Sequence, residues 1–246
     1  MRTTWALFRR ELAVYFVSPM AYIILTGLML LFGLFFWMGT RGAAMNNLPF
    51  DYASVLSTIA YFMVFIAPII TMRLIAEEKN RGTFETLMTA PVTDLQVILA
   101  KYASTLAFLL FLLLPTVAHA ILASKYGTLD VSQAIAGYIG VFLATASLFA
   151  IGLFVSSVCS NQVTAGVITF VIIIILAASA AIAPHISPHT EMGRAARSVI
   201  GTLDPYGSMD DFRRGIIDSR PVVYLLSLIA FFLFLSVRAL ESRRWR

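Results

Sequence analysis

Six apolar runs, each close to the length that crosses a bilayer, divide this chain of 246 residues and leave few architectures open to it. They cover residues 20–38, 53–74, 95–123, 133–158, 163–183 and 221–237. A hydrocarbon core about 30 Å thick needs about 20 helical residues. Lipid offers no hydrogen-bond partner to a bare backbone, so such runs must form helices. The predicted fold class is an all-α membrane protein with six transmembrane helices in a single domain, residues 1–246. Composition agrees. With 59% apolar residues, 13% charged and a mean hydropathy of +0.86, a soluble domain could not keep its apolar surface dry. The first run, although it follows Arg9 and Arg10, is long enough to span and is expected to stay rather than act as a cleaved leader.

Local signals place the helix ends. Residues 1–17 set Trp5, Phe8, Leu12, Tyr15 and Phe16 on one helical face, with Arg2, Arg10 and Glu11 elsewhere. Such a helix suits the membrane interface, with Trp5, Phe8, Arg9 and Arg10 as its anchoring residues. Ser18-Pro19 then restarts the chain as N-cap and first helical residue. Pro68 and Pro115 predict kinks in the second and third spans. Thr93 with Gln96 has capping-box spacing, and Asp130 can cap the fourth span. Gly137, Gly140, Ala144, Ser147 and Gly152 in that fourth span would let other helices approach closely.

Charge placement orients the bundle. With the N-terminus in the cytoplasm, the inner side receives the basic residues of the N-terminal helix, the second-to-third loop, Lys101 and the C-terminal tail. The short outer loops then hold only Arg41 and Lys125. Both termini are thus expected inside. The net charge of +5 sits at the ends of apolar runs, where topology and anionic lipid explain it without nucleic acid. Cys159 alone forms no internal disulfide.

Several chemistries are excluded by motif. A P-loop needs Gly-Lys before Ser or Thr. The three lysines, Lys79, Lys101 and Lys125, follow Glu, Ala and Ser, so this chain is not expected to be an enzyme or to hydrolyse ATP by itself. It has neither a His-Glu-x-x-His helix nor a Gly-x-Ser-x-Gly elbow. His185 and His189 are separated by Pro188 and have no acidic or thiol neighbour, so no metal site is expected. His119 reads as a hydrogen-bonded histidine of the bundle. No catalytic residue is assigned, and no cofactor is expected to be bound by this chain.

The loop at 75–93 is the most polar stretch between spans. It contains Glu77, Glu78, Lys79 and Arg81, a break at Gly82, then a short amphipathic helix over Thr83–Thr89 with Phe84, Leu87 and Met88 as its stripe, ended by Pro91. Sequence physics leaves two readings open: a helix that docks a partner, or one that rests on lipid. A second polar segment, 185–220, includes Ser208–Ile217, where Ser208 and Asp211 have capping spacing for a short helix.

The phrase Glu77-Glu78-Lys79-x-Arg81-Gly82-Thr83-x-Glu85-x-Leu87-x-x-x-Pro91-Val92 resembles the signature of type 2 ABC transporter permeases. The resemblance points to the branch with the gliding-motility and copper-enzyme-maturation permeases. Asp204-Pro205-Tyr206 followed by Phe212-Arg213-Arg214-Gly215 is similar to the phrase before the last span there, with Asp-Pro-Tyr where that branch usually has Ser-Pro-Phe. The resemblance implies a permease subunit that dimerises with a second copy or a related permease. Each copy would engage a cytoplasmic ABC ATPase, two copies in all, with ATP and Mg held by that partner. The segment with Glu77, Glu78, Lys79, Arg81, Gly82, Thr83, Phe84, Glu85 and Leu87 would be the cytoplasmic coupling helix, and the N-terminal helix a second contact. The external segment would be re-entrant-like, with Met209, Phe212 and Ile216 as an outer gate. The implied location is a bacterial inner membrane and the implied direction outward. The alternative is an ATPase-coupled scaffold or mechanotransmission subunit acting on an extracytoplasmic partner, with accessory periplasmic or membrane subunits, and moving no solute.

Overall fold

The computed structural model describes residues 2–47, 50–83, 92–126, 129–182, 185–186, 190–202, 204–207 and 209–242. All secondary structure among them is helical: α1 (Arg2–Val17), α2 (Pro19–Asn46), α3 (Tyr52–Thr71), α4 (Ala76–Asn80), α5 (Asp94–Leu113), α6 (Thr116–Tyr126), α7 (Val131–Val158), α8 (Gln162–Ile182), α9 (Glu191–Thr202), α10 (Met209–Arg213) and α11 (Ser219–Glu241). Among the described residues, six stretches are long and apolar enough to cross a membrane: α2, α3 with α4, α5 with α6, α7, α8 and α11. Six crossings would return both termini to one side, called here the terminal side.

Helix α7 is the centre. It packs against α11, α3, α10, α8 and α5, and its small residues are where the neighbours come closest. A Cβ at Gly137 would lie 3.0 Å from Leu56, at Gly140 2.7 Å from the Phe212 ring, and at Gly152 2.0 Å from the Thr71 hydroxyl. Between helices immersed in lipid, such close approach supplies the packing attraction that burial from water provides in soluble proteins. Helices α2, α8 and α11 lie outside and present Ile23, Leu30, Val171, Ile175, Val223 and Phe234 outward, as lipid-facing surfaces do.

The caps form as expected. Ser18 accepts from the Met20 N–H, Thr93 and Gln96 close a capping box, and Asp130 accepts from the Ser132 N–H at 2.9 Å. The prolines act differently from one another. Pro115 separates α5 from α6; Thr116 Oγ1 donates to Leu113 O, left over at the end of α5, at 2.6 Å, and the Tyr52 hydroxyl donates to Thr116 O at 3.0 Å. Tyr138 joins the same cluster through hydroxyl contacts to Tyr52 at 2.9 Å and Thr116 at 2.8 Å. Helix α3 runs through Pro68 and breaks only at Met72–Ile75. There Ser156 of α7 accepts the Ile75 and Ala76 N–H groups, both at 3.0 Å. A side chain thus satisfies the backbone donors that the broken helix leaves over.

Three features depart from the sequence reading. Helix α2 continues past Met38 to Asn46, because the polar residues there support a helix. Thr40 donates to Trp37 O, Asn46 to Gly42 O, and Asn47 closes the end in the left-handed conformation at φ 52°. The external helix expected over 208–217 is the shorter α10, since Gly215 turns the chain at φ +80°. His119 is held by rings rather than hydrogen bonds: it meets Phe32 and Phe36 edge-on at 4.9 and 5.1 Å, and its buried Nδ1 has no hydrogen-bond partner among the described residues.

Candidate coupling site on the terminal side

Helix α1 runs alongside α5 in the same direction. Glu11 meets Lys101, the Tyr15 ring stacks on Phe108 at 4.7 Å, and Phe16 meets Phe111 edge-on at 4.8 Å. The sequence pattern placed the apolar face correctly at Tyr15 and Phe16. Trp5 stacks on Phe8 at 5.1 Å and remains exposed, as do Arg9 and Arg10.

Where α1, α4 and α5 meet, Lys101 is 2% exposed and its Nζ donates to Glu11 Oε2 at 3.0 Å and Glu78 Oε1 at 2.8 Å. Arg10 adds a bond to Glu11 at 2.7 Å and a longer approach to Glu78 at 3.6 Å. One lysine therefore binds two carboxylates from segments 67 residues apart in sequence, Glu11 and Glu78. Position fixes the pattern: seven residues into α5 a lysine has no water to solvate it, and only paired carboxylates make the burial tolerable. Burial alone would raise the Glu11 pKa, but Lys101 and Arg10 together outweigh it and hold the carboxyl below its ordinary range. The hydrogen bond to Glu11 likewise raises the Arg10 pKa, against the opposing effect of burial.

The other loop residues bind closer to home. Arg81 pairs with Glu77 at 2.5 Å one turn away. Lys79 donates to the Ser157 carbonyl, tying α4 to the end of α7. Gly82 adopts φ +72°, a conformation glycine takes without strain. Thr83 donates to Glu78 O at 3.3 Å. Phe84, Glu85 and Leu87, with the rest of the expected 83–89 helix, lie outside the described residues.

At the opposite end, Met209 and Phe212 are buried, with Phe212 against Gly140 of α7. Ile216 does not join them: it lies beyond the Gly215 turn and is 53% exposed, as is Ile217. Arg213 approaches Asp51 at 3.6 Å, linking α10 to the start of α3. Tyr206 is buried beside Asp204. Burial raises both pKa values; the Asp204 charge adds to the rise at Tyr206, while the Tyr206 backbone N–H opposes it at Asp204.

Lys101 and Glu11 are the functional candidates that the motif did not reveal. The signal available was a single lysine inside an apolar run, which demands a carboxylate partner. Among the described residues no three His, Cys, Asp or Glu side chains gather as a metal site; His189 lies outside them.

A bundle of six apolar helices with a charge-clamped loop at one end defines a polytopic helical membrane protein. Residues 45–205 match the family model described as ABC-2 family transporter protein, well over half of the chain, and the chain belongs to that family. It is a transmembrane permease subunit of an ABC transporter, a multi-pass membrane protein whose class implies an ABC ATPase partner. The match names the family and not the branch. A search of curated proteins found no significant match.

Proposed function

We propose that this permease, paired with a second copy or a related permease in the inner membrane, couples a separate cytoplasmic ATPase to outward movement of a substrate. The terminal side is the cytoplasmic side in this reading, in keeping with the excess of lysine and arginine there. The observation that carries it is the Lys101 clamp. The two segments that the sequence resemblance assigns to the ATPase, α1 and the loop after α3, are joined at one buried cation.

A push on the loop has two routes into the bundle. Through Lys101 it reaches α5 and α1; through Ser156 and the Lys79–Ser157 contact it reaches α7, the helix that every other central element touches. Tyr102 of α5 donates to Ala146 O of α7 at 3.0 Å, so the two routes meet. ATP binding and hydrolysis occur in the partner with its Mg. This chain contributes the docking surface, the rigid linkage and the spans. Phe212 against Gly140 would close the far end.

Purification from native membranes in mild detergent tests this. A P-loop ATPase should copurify in equal amount, and Phe84→Asp with Leu87→Asp should release it. Hydrolysis stimulated by a solute supports transport, and hydrolysis stimulated only by a protein partner supports the scaffold alternative. Absence of any ATPase, under conditions that keep other membrane complexes intact, contradicts both.

A further inference from the structure

A cleft of about 1000 Å3 opens between α1, the first turns of α2, the terminal end of α3, and α4. It lies at the upper end of the volumes of ligand pockets, about 300–1,000 Å3. Its polarity changes along the bundle axis. Toward the membrane interior the walls are Val14, Val17, Ala21, Ile24, Ile70 and Phe108; at the terminal end they are Arg10, Arg73, Glu77, Glu78, Arg81 and Lys101.

The charged end does not balance. Four cations, Arg10, Arg73, Arg81 and Lys101, face three carboxylates, Glu11, Glu77 and Glu78. Each carboxylate already has a cation, Glu77 in Arg81 and Glu11 and Glu78 in Lys101 and Arg10, although Glu78 Oε2 is itself buried without a hydrogen-bond partner. Arg73 has no ion pair among the described residues, and its Nε is buried without a hydrogen-bond partner. A buried guanidinium donor calls for an acceptor, and the planar fork of arginine suits a phosphate or carboxylate oxyanion. The apolar walls beside it call for hydrocarbon.

We infer that this cleft binds one anionic phospholipid of the leaflet on the terminal side, its phosphate on Arg73 and an acyl chain along Val17, Ala21, Ile24 and Ile70. The cleft is oriented as a lipid is, head toward the aqueous edge and chain toward the bilayer interior. The bound lipid would fill the space between α1 and α3 and brace the segment that Lys101 clamps. The inference does not depend on ATPase docking, so its failure would leave the permease reading standing.

The test uses the full chain in maltoside detergent. Phosphatidylglycerol is titrated against diacylglycerol, which has chains and no phosphate, and against glycerol phosphate, which has phosphate and no chains. Thermal unfolding reports binding, and a photoactivatable phosphatidylglycerol maps the contact on the unaltered protein. Phosphatidylglycerol alone should stabilise strongly and label peptides within 13–24 or 69–74. Its affinity should fall about ten-fold in Arg73→Gln, as expected for loss of a charge-assisted contact, and fall similarly in Ile70→Trp, which narrows the apolar wall. Labelling of the unaltered protein keeps the test decisive if either variant folds poorly. Equal stabilisation by diacylglycerol, or by glycerol phosphate, would overturn the assignment, the latter by reducing it to a phosphate ion site. Labelling confined to other helices would overturn it as well.

Discussion

Replacing Lys101 with methionine keeps the length and apolar stem of the side chain and removes the charge that joins α1, α4 and α5. In the native fold its ammonium lies 3.0 Å from Glu11 and 2.8 Å from Glu78, and is itself 2% exposed. Removing one partner of a buried ion pair costs about 3–5 kcal/mol, because the charge left behind stays buried and unpaired. Here the two carboxylates keep 13% and 21% of their side-chain exposure and Arg10 remains at 2.7 Å from Glu11, which moves the expected loss to the lower end, about 3 kcal/mol. Equilibrium unfolding in mixed micelles measures it. The informative comparison is Lys101→Met combined with Glu11→Gln and Glu78→Gln. With no buried charge left to strand, and Arg10 half exposed to solvent, most of the loss should return, leaving the triple variant within about 1 kcal/mol of the parent. A cost below about 1 kcal/mol for the single variant, typical of solvated surface pairs, would refute the reasoning. So would a triple variant no more stable than the single one.

Gly152→Ala would drive a methyl into the Thr71 hydroxyl, with Thr71 Cβ only 2.6 Å away; a loss of about 1–3 kcal/mol is expected, and Thr71→Ala, which keeps that Cβ, should recover only part of it in the same unfolding assay. Ser156→Ala removes the acceptor for the Ile75 and Ala76 N–H groups and should cost about 1–3 kcal/mol, with faster amide exchange at those two positions. The depressed Glu11 pKa gives a pH dependence of defined sign. A carboxyl held below its unfolded value, about 4.3 for Glu, stabilises the fold above that pH and loses this contribution as pH falls through the lower folded value. Glu11→Gln should therefore be less stable than the parent at neutral pH, and the two should converge in acid, in unfolding curves taken from pH 7 to pH 3.

Much of this architecture could be read from the residues because a bilayer allows so little choice. The six spans, the Ser18, Thr93 and Asp130 caps, the Gly82 turn and the small-residue face of α7 all follow from local chemistry that neighbours do not override. The Lys101 clamp was harder. Its burial follows from an ammonium inside an apolar run, but the sequence offers Glu11, Glu77, Glu78 and Glu85 on that side and nothing local chooses among them. Choosing among them requires knowing that α1 runs along α5, a contact across about 90 residues that no local pattern encodes. The extension of α2 to Asn46 is not legible because polar residues at the end of a span read as loop, although Thr40 and Asn46 bond back to their own helix. The resemblance groups Ile216 with Met209 and Phe212, and the turn at Gly215 carries it away from them.

The most direct test of the account is site-specific photocrosslinking in native membranes, with a photoreactive residue at Phe84 in the terminal-side loop and, separately, at Arg41 and Lys125 at the other end of the bundle. Capture of a P-loop ATPase from position 84, and from neither of the others, is the predicted result. Capture from Arg41 or Lys125, or capture of lipid alone from position 84 in membranes that contain the assembled transporter, would contradict both the docking surface and the orientation built on it.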